Sequence, residues 1–294
     1  MKLNRIFISD DEPRLRAGWR LLIHWILLNI LLVCFTLPFI TSLEELFSPE
    51  GMLLSQVAEL FGVGISVLLA RRFLDKRSFS SLGLNINQQA LIDILVGISI
   101  PFFMVGTIYL ISLSMGWLIF TGFAWQFDSP VTVVSQVLLS VLTFILVGWN
   151  EELLSRGYHL QNLISGLNLP WAVMISSAVF GGLHYANPNA TWEGAVGVFL
   201  AGVFLAYGYL RTRQLWLPIG LHFGWNFFEG VIFGFPVSGT GTYRLVHTTV
   251  NGPMLWTGGT FGPEAGLVVI PGLLIGGLLV CIYTRNHLSQ EDSG

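Results

Sequence analysis

Charge is scarce in this 294-residue chain: Asp, Glu, Lys and Arg make up 11% of it, whereas roughly 25% is usual in soluble domains. Hydrophobic residues account for 53%, and the mean hydropathy is +0.69. The net charge is −3, and no run of like charge is long enough to form a nucleic-acid surface. The composition therefore predicts an integral membrane protein and argues against a nucleic-acid partner.

Several common site signatures are also missing. The two cysteines, Cys34 and Cys281, lie in the first and last apolar segments, so neither a disulfide framework nor a zinc knuckle can form. None of the six histidines is followed by Glu, which excludes an H-E-x-x-H zinc helix. The chain also lacks a G-x-S-G serine site and a G-x-G-D aspartyl site. Any chemistry must therefore come from other polar residues.

Apolar segments of about 20 residues, the length needed to cross a bilayer, recur along the chain. The first is too long for a signal-peptide core and no cleavage site follows it, so we expect it to remain as a membrane helix. An all-α polytopic fold with eight transmembrane helices is predicted. The predicted spans are 21–43, 52–70, 91–114, 131–154, 170–186, 193–210, 215–235 and 265–284.

We expect one membrane domain with three parts. Residues 1–130 would hold three N-terminal helices, residues 131–235 the core that carries the site, and residues 236–294 a long loop and the last helix.

The Lys and Arg residues fix the expected orientation. With the N-terminus inside, 13 of the 14 fall in cytoplasmic segments, and Arg244 is the exception. A misplaced span would break this partition. The sequence therefore predicts a multi-pass protein of the cell membrane with both termini in the cytoplasm. The 13 residues are Lys2, Arg5, Arg14, Arg16, Arg20, Arg71, Arg72, Lys76, Arg77, Arg156, Arg211, Arg213 and Arg285.

Ionisable residues inside spans are costly, so each is a functional candidate by default. In Glu151-Glu152-Leu-Leu-Ser-Arg156, Glu152 and Arg156 are four residues apart and share a helix face. Glu151 points about 100° away, which leaves it free to face a cavity as a base. The alternative is that both acids are interfacial charges that extend from a helix end into the headgroup region.

A turn signal, Gly166-Leu-Asn-Leu-Pro170, separates Glu151 from His184. Its centre near Asn168 is 17 residues after Glu151 and 16 before His184. In an antiparallel helix pair these nearly equal counts place the two side chains at the same height. A carboxylate and an imidazole would then meet, as a general-base site requires.

The seventh span supplies His222-Phe-Gly-Trp-Asn226, whose two polar residues share a helix face. Both can donate hydrogen bonds, as stabilisation of an oxyanion requires. Glu229, seven residues after His222, is predicted to lie on the same face, where it either orients the imidazole or sits near the outer interface.

Other polar residues are less informative. We expect His24 to be packed or interfacial and His159 to be solvated where the fourth helix emerges. Glu59 and Asp93 are intramembrane acids that the sequence does not place relative to the site.

Three motifs in order, E-E-x-x-x-R, F-x-x-x-H and H-x-x-x-N, resemble the type II CAAX prenyl endopeptidase and bacteriocin-processing (CPBP) family of intramembrane proteases. Here they read Glu151-Glu152-Leu-Leu-Ser-Arg156, Phe180-Gly-Gly-Leu-His184 and His222-Phe-Gly-Trp-Asn226. The resemblance covers roughly residues 140–230, and the Ser-Ser-Leu-Gly-Leu stretch at 80–84 also looks like the family.

The resemblance implies a helical membrane peptidase with a conical cavity open to the cytosol, formed by helices 4, 5 and 7. It implies that Glu151 and His184 activate water, that His222 and Asn226 bind the oxyanion, and that Glu152 and Arg156 position the site. The expected partners are the lipid bilayer and a membrane-associated or lipidated protein or peptide substrate.

Metal dependence is left open. The family is commonly labelled metalloprotease, and Glu151, His184 and His222 are the three possible ligands of a catalytic Zn²⁺. A metal-free glutamate base is the favoured alternative.

Two other functions compete with the peptidase. One is a non-catalytic scaffold or bacteriocin-immunity protein of the same fold, against which the intact motifs argue. The other is a transporter, against which the confinement of polar residues to three spans and the lack of a repeat argue. The substrate and the oligomeric state are not predicted.

Overall fold

The computed structural model describes residues 7–8, 13–39 and 48–285. This part of the chain is mostly helical, which confirms the prediction of a helical polytopic membrane protein. Its α-helices are α1 (Ala17–Thr36), α2 (Pro49–Leu69), α3 (Gln88–Ser114), α4 (Pro130–Glu152), α5 (Gln161–Ile164), α6 (Leu169–Leu183), α7 (Trp192–Thr212), α8 (Trp216–Asn226), α9 (Met254–Thr257) and α10 (Val269–Tyr283).

Five of these helices begin with the same local chemistry. A Ser, Thr or Asn side chain at the N-cap accepts a hydrogen bond from a backbone N–H three residues later, which satisfies a donor that the first turn leaves free. In α2 and α4 a proline follows the cap at the first helical position, where its missing N–H costs nothing. The five N-cap residues are Ser48, Asn87, Ser129, Asn168 and Thr191.

Three helices continue into π-helical segments, which the sequence analysis did not foresee. Ala70–Leu74 extends α2, Leu153–Leu160 joins α4 to α5, and Phe227–Ile232 extends α8. Each of the eight predicted spans contains a helix. Within the described residues, five helical segments are long and apolar enough to cross a membrane, and α10 is a shorter apolar helix. The five segments are Ala17–Thr36, Pro49–Leu74, Gln88–Ser114, Pro130–Ile164 and Trp192–Thr212.

The count of eight spans, the three-part division and the orientation stay predictions. The end of the first predicted span, residues 40–43, lies outside the described residues, as do Lys2 and Arg5.

A two-stranded antiparallel sheet was also not predicted. Strand β1 (Leu118–Phe123) pairs with β2 (Val246–Val250), and a bulge lies between Phe120 and Gly122. It ties the connection after α3 to the loop that follows α8.

Helices α3 and α8 pack backbone to backbone. An added Cβ on Gly97 would lie 2.6 Å from the Leu217 carbonyl oxygen, and one on Gly220 would lie 2.6 Å from the Ile94 carbonyl oxygen. Small residues permit such close approach between membrane helices. This packing fixes the position of α8, which carries two of the predicted site residues.

Contacts between distant segments define one end of the bundle. Arg20 pairs with Asp75 at 2.7 Å and donates to the Ser165 hydroxyl at 2.7 Å. The Leu215 N–H donates to the Gly83 carbonyl at 2.8 Å. These contacts join segments rich in Lys and Arg, so we call this the basic end. It comprises residues 13–20, 71–84, 161–166 and 211–215.

The opposite end is held by polar contacts between loops. Asn187 donates to the Ser238 carbonyl at 2.9 Å, and the Tyr243 hydroxyl donates to Asp128 at 2.8 Å. The end of α1 and the start of α2 lie here too, because each helix runs about 30 Å from the basic end. We call this the far end. It comprises residues 36, 48–51, 128–130, 187–189 and 237–248.

Two histidines near the basic end are buried. His24 is packed, as expected, with its ring 4.2 Å from that of Tyr158. The expectation that His159 is solvated is wrong: it is 5% exposed and stacks on Trp25. The fourth helix does not emerge at His159, because helical structure continues to Ile164 and α1 packs against it.

Candidate active site

The α4–α6 hairpin brings Glu151 and His184 together. The chain continues as helix from α4 to Ile164, turns, and starts α6 after the Asn168 cap. His184 is the C-cap of α6, and its Nε2 lies 3.7 Å from Glu151 Oε2. Counting residues from the turn thus predicted the meeting of these side chains.

His222 reaches the same carboxylate from α8. Its Nε2 lies 3.8 Å from Glu151 Oε2, and its Nδ1 lies 2.8 Å from Glu152 Oε1. The two adjacent acids therefore contact opposite edges of one imidazole. This arrangement follows from the 100° rotation between neighbouring helical residues.

Backbone and carboxylate partners fix both imidazole rings. His184 Nδ1 lies 2.8 Å from the Phe180 carbonyl oxygen, which can only accept, so Nδ1 carries a proton. His222 Nδ1–H donates to Glu152 in the same way. Both Nε2 atoms are consequently the ones that face Glu151.

A buried ion pair supports the site from behind. Arg156 donates to Glu152 Oε1 at 2.7 Å and to the Gly202 carbonyl of α7 at 3.0 Å. Its guanidinium lies 4.3 Å from the centre of the Phe180 ring. Arg156 is 1% exposed and Glu152 0% exposed. The alternative that both acids are interfacial charges is therefore wrong, because Glu152 is enclosed and the helix continues beyond it.

A cavity of about 460 Å³ leads to these residues. Glu151, His184, His222 and Asn226 all line it. Glu151 Oε2 is buried, and within the described residues it accepts no hydrogen bond. The inner part of the cavity is therefore lined by a carboxylate with one oxygen that accepts no hydrogen bond from the described residues.

Glu59, which the sequence could not place, lines the same cavity. The Gln56 side chain donates to it at 3.1 Å. Asp93 does not line the cavity: it joins α3 to α10 by accepting a hydrogen bond from Tyr283 at 2.6 Å, and it accepts another from Gln89 of its own helix at 2.9 Å.

Glu229 does not orient His222, because Glu152 occupies that position. Glu229 is fully buried and faces Glu264 instead. The seven-residue spacing assumed a continuous α-helix, whereas π-helical hydrogen bonding begins at Phe227 and changes the rotation per residue.

Glu264 was missed by the sequence analysis. Its Oε1 accepts hydrogen bonds from the Ser238 N–H at 3.2 Å, the Ser238 hydroxyl at 3.0 Å and the Trp225 indole at 3.4 Å. Burial raises the pKa of this carboxyl, which precedes the last predicted span, and the hydrogen bonds oppose the shift. Ser238 lines the cavity, so Glu264 holds part of its wall. The available sequence signal was an acid beside an apolar span.

The zinc alternative finds no support in this arrangement. Among the residues that the structure describes, no group of three or more His, Cys, Asp or Glu is placed to hold a metal ion. We therefore derive no step through a metal.

The segment that carries the three motifs matches a known protein family. No curated protein matches the chain. Residues 133–228 match the family model described as type II CAAX prenyl endopeptidase Rce1-like. This segment contains all three motifs and every residue that converges on Glu151. The resemblance is confirmed over residues 133–228, which make up about a third of the chain.

Proposed function

We propose that this protein is an intramembrane endopeptidase that hydrolyses a peptide bond of a membrane-associated protein or peptide. The observation that supports it most is the convergence of two imidazole Nε2 atoms on Glu151 Oε2, at 3.7 and 3.8 Å, inside the cavity. A carboxylate paired with imidazole is the arrangement that general-base chemistry needs.

The separation of Glu151 from His184 leaves a role for water. At 3.7 Å the carboxylate and the ring do not hydrogen-bond directly, but a water on the cavity side can contact both. Glu151 takes a proton from this water while the oxygen of the water forms a bond to the scissile carbonyl carbon. His184 orients the same water through Nε2.

His222 and Asn226 are the proposed oxyanion donors. Both line the cavity, and they lie one turn apart on α8. His222 donates through Nε2–H while Glu152 holds Nδ1–H. As the tetrahedral intermediate collapses, the C–N bond breaks and the proton held by Glu151 passes to the leaving nitrogen. The second proton of the water stays with the new carboxyl group and passes from it to the amine, so the products are a carboxylate and an ammonium group.

Glu152 and Arg156 act as positioning residues. Glu152 fixes the His222 ring, and Arg156 holds the Glu152 carboxylate in place while tying α4 to α7. Neither needs to touch the substrate for this role. A fixed donor costs no reorganisation when charge develops on the carbonyl oxygen.

The test is cleavage of a fluorogenic, lipidated peptide library by detergent-purified full-length protein. Glu151→Gln removes the base and should lower kcat by about 10²- to 10⁴-fold. Glu193→Gln is the matched control, because Glu193 lies in the first turn of α7 and does not line the cavity. Full activity of Glu151→Gln would refute the proposal, and inactive wild-type protein would favour a non-catalytic scaffold.

Metal dependence is tested in the same assay. Activity that persists with a strong zinc chelator agrees with a glutamate base. Activity that is lost and then restored by zinc would make Glu151, His184 and His222 ligands and would overturn the proposed step.

A further inference from the structure

We infer that the active-site cavity opens to the extracytoplasmic side of the membrane, so that the substrate is a peptide segment presented from that side. The inference rests on the proposed function for its chemistry. It differs from the expectation of a cytosolic opening, and the direction of access follows from where the cavity rim, the closed side and the basic residues lie.

The cavity rim belongs to the far end. It is lined by residues from the end of α1, the start of α2, the segment after α6 and the loop that follows α8. From Ser48 to Glu59 the wall runs eleven helical residues, or about 16 Å, toward Glu151. The rim residues are Thr36, Ser48, Glu50, Asn187, Ser238 and Thr240.

The other side of the site is closed. Between Glu151 and the basic end lie the Glu152–Arg156 pair and a tightly packed apolar cluster. Five residues of this cluster are at most 1% exposed, so a peptide has no path from the basic end to the site. The five residues are Leu82, Leu153, Tyr158, Leu160 and Leu215.

The distribution of positive charge identifies the two sides. Of the 12 Lys and Arg residues in the described part of the chain, ten lie at or beside the basic end, and Arg244 lies at the far end. Arg156 is inside the bundle. Cytoplasmic segments carry the excess of Lys and Arg, so the basic end is cytoplasmic and the rim is extracytoplasmic.

The contacts of the C-terminal helix agree. Arg211 donates to the Thr284 hydroxyl at 2.7 Å, which brings the end of α10 to the same side as the start of α1. Both described termini thus lie at the basic end. The substrate class that follows is a translocated peptide, or the extracytoplasmic juxtamembrane segment of an anchored protein, rather than a cytosolic lipidated tail.

Thiol labelling tests to which side of the membrane the cavity opens, and it does not require catalysis. Cys34 and Cys281 are free, and both are replaced by Ser to give a background without cysteine. Glu50→Cys then reports the rim, and Ser80→Cys reports the basic end as its matched control; both positions are exposed. A membrane-impermeant maleimide applied to intact cells should label Glu50→Cys, whereas Ser80→Cys should react only after permeabilisation. The reverse pattern would overturn the inference.

Sided cleavage tests the substrate claim. An impermeant fluorogenic peptide should be cleaved by right-side-out vesicles carrying the full chain, and Glu151→Gln should abolish that cleavage. Cleavage only by inside-out vesicles would overturn the inference even if the labelling agreed. If wild type cleaves from neither side, the proposed function fails, while the labelling result still decides where the cavity opens.

Discussion

Replacement of Arg156 by Met should destabilise the protein strongly, because it removes the guanidinium that pairs with the buried Glu152 carboxylate. The pair is enclosed, with the two charged groups 2.7 Å apart at their closest atoms. With charge centres about 4 Å apart and an effective dielectric of about 20, the attraction is about 4 kcal/mol. Loss of one partner of such a pair typically costs about 3–5 kcal/mol.

The measurement is equilibrium unfolding of detergent-solubilised protein by SDS titration, followed by the fluorescence of its ten tryptophans. Glu152→Gln combined with Arg156→Met removes both charges. The loss of unfolding free energy in the double variant should therefore be smaller than the summed losses of the two single variants, by at least about 1 kcal/mol. Two results would refute the reasoning. One is a loss of unfolding free energy below about 1 kcal/mol for Arg156→Met; the other is a double variant whose loss equals the sum of the single losses within about 0.5 kcal/mol.

Other substitutions probe separate parts of the site. His222→Ala should lower kcat by about 10²- to 10³-fold with a smaller change in KM, as loss of an oxyanion donor does; an effect on KM alone in steady-state cleavage would contradict this. Glu264→Gln weakens the acceptor that holds residues 237–240, so hydrogen exchange there should accelerate; unchanged protection would contradict that role. Gly220→Ala places a methyl against the α3 backbone and should cost about 1–3 kcal/mol in unfolding, whereas Gly277→Ala, with open space around it, should be nearly neutral.

Short-range spacing predicted much of the site, because helical geometry converts residue counts into positions. The Glu152–Arg156 pair followed from a four-residue interval, and the meeting of Glu151 with His184 followed from the distance of each to the turn. Both predictions needed only one helix or one hairpin. They also needed no knowledge of the neighbouring helices.

Features set by distant segments were not predictable in this way. Glu229 was misplaced because a π-helical segment begins between it and His222, and no residue pattern signalled that change. The burial of His159 depends on packing by α1. The β1–β2 pairing joins segments more than 120 residues apart. The direction of the cavity depends on which helix ends meet around it.

The close α3–α8 packing has a consequence for inhibitor design. Because Gly97 and Gly220 allow the two backbones to touch, α8 has little room to shift, and His222 and Asn226 are held on a rigid support. If they are the oxyanion donors of the proposed reaction, a compound with a tetrahedral phosphinate in place of the scissile amide would meet them already in position, and little of its affinity would be lost to induced fit. Such transition-state mimics should therefore bind this site more tightly than substrate-like amides do.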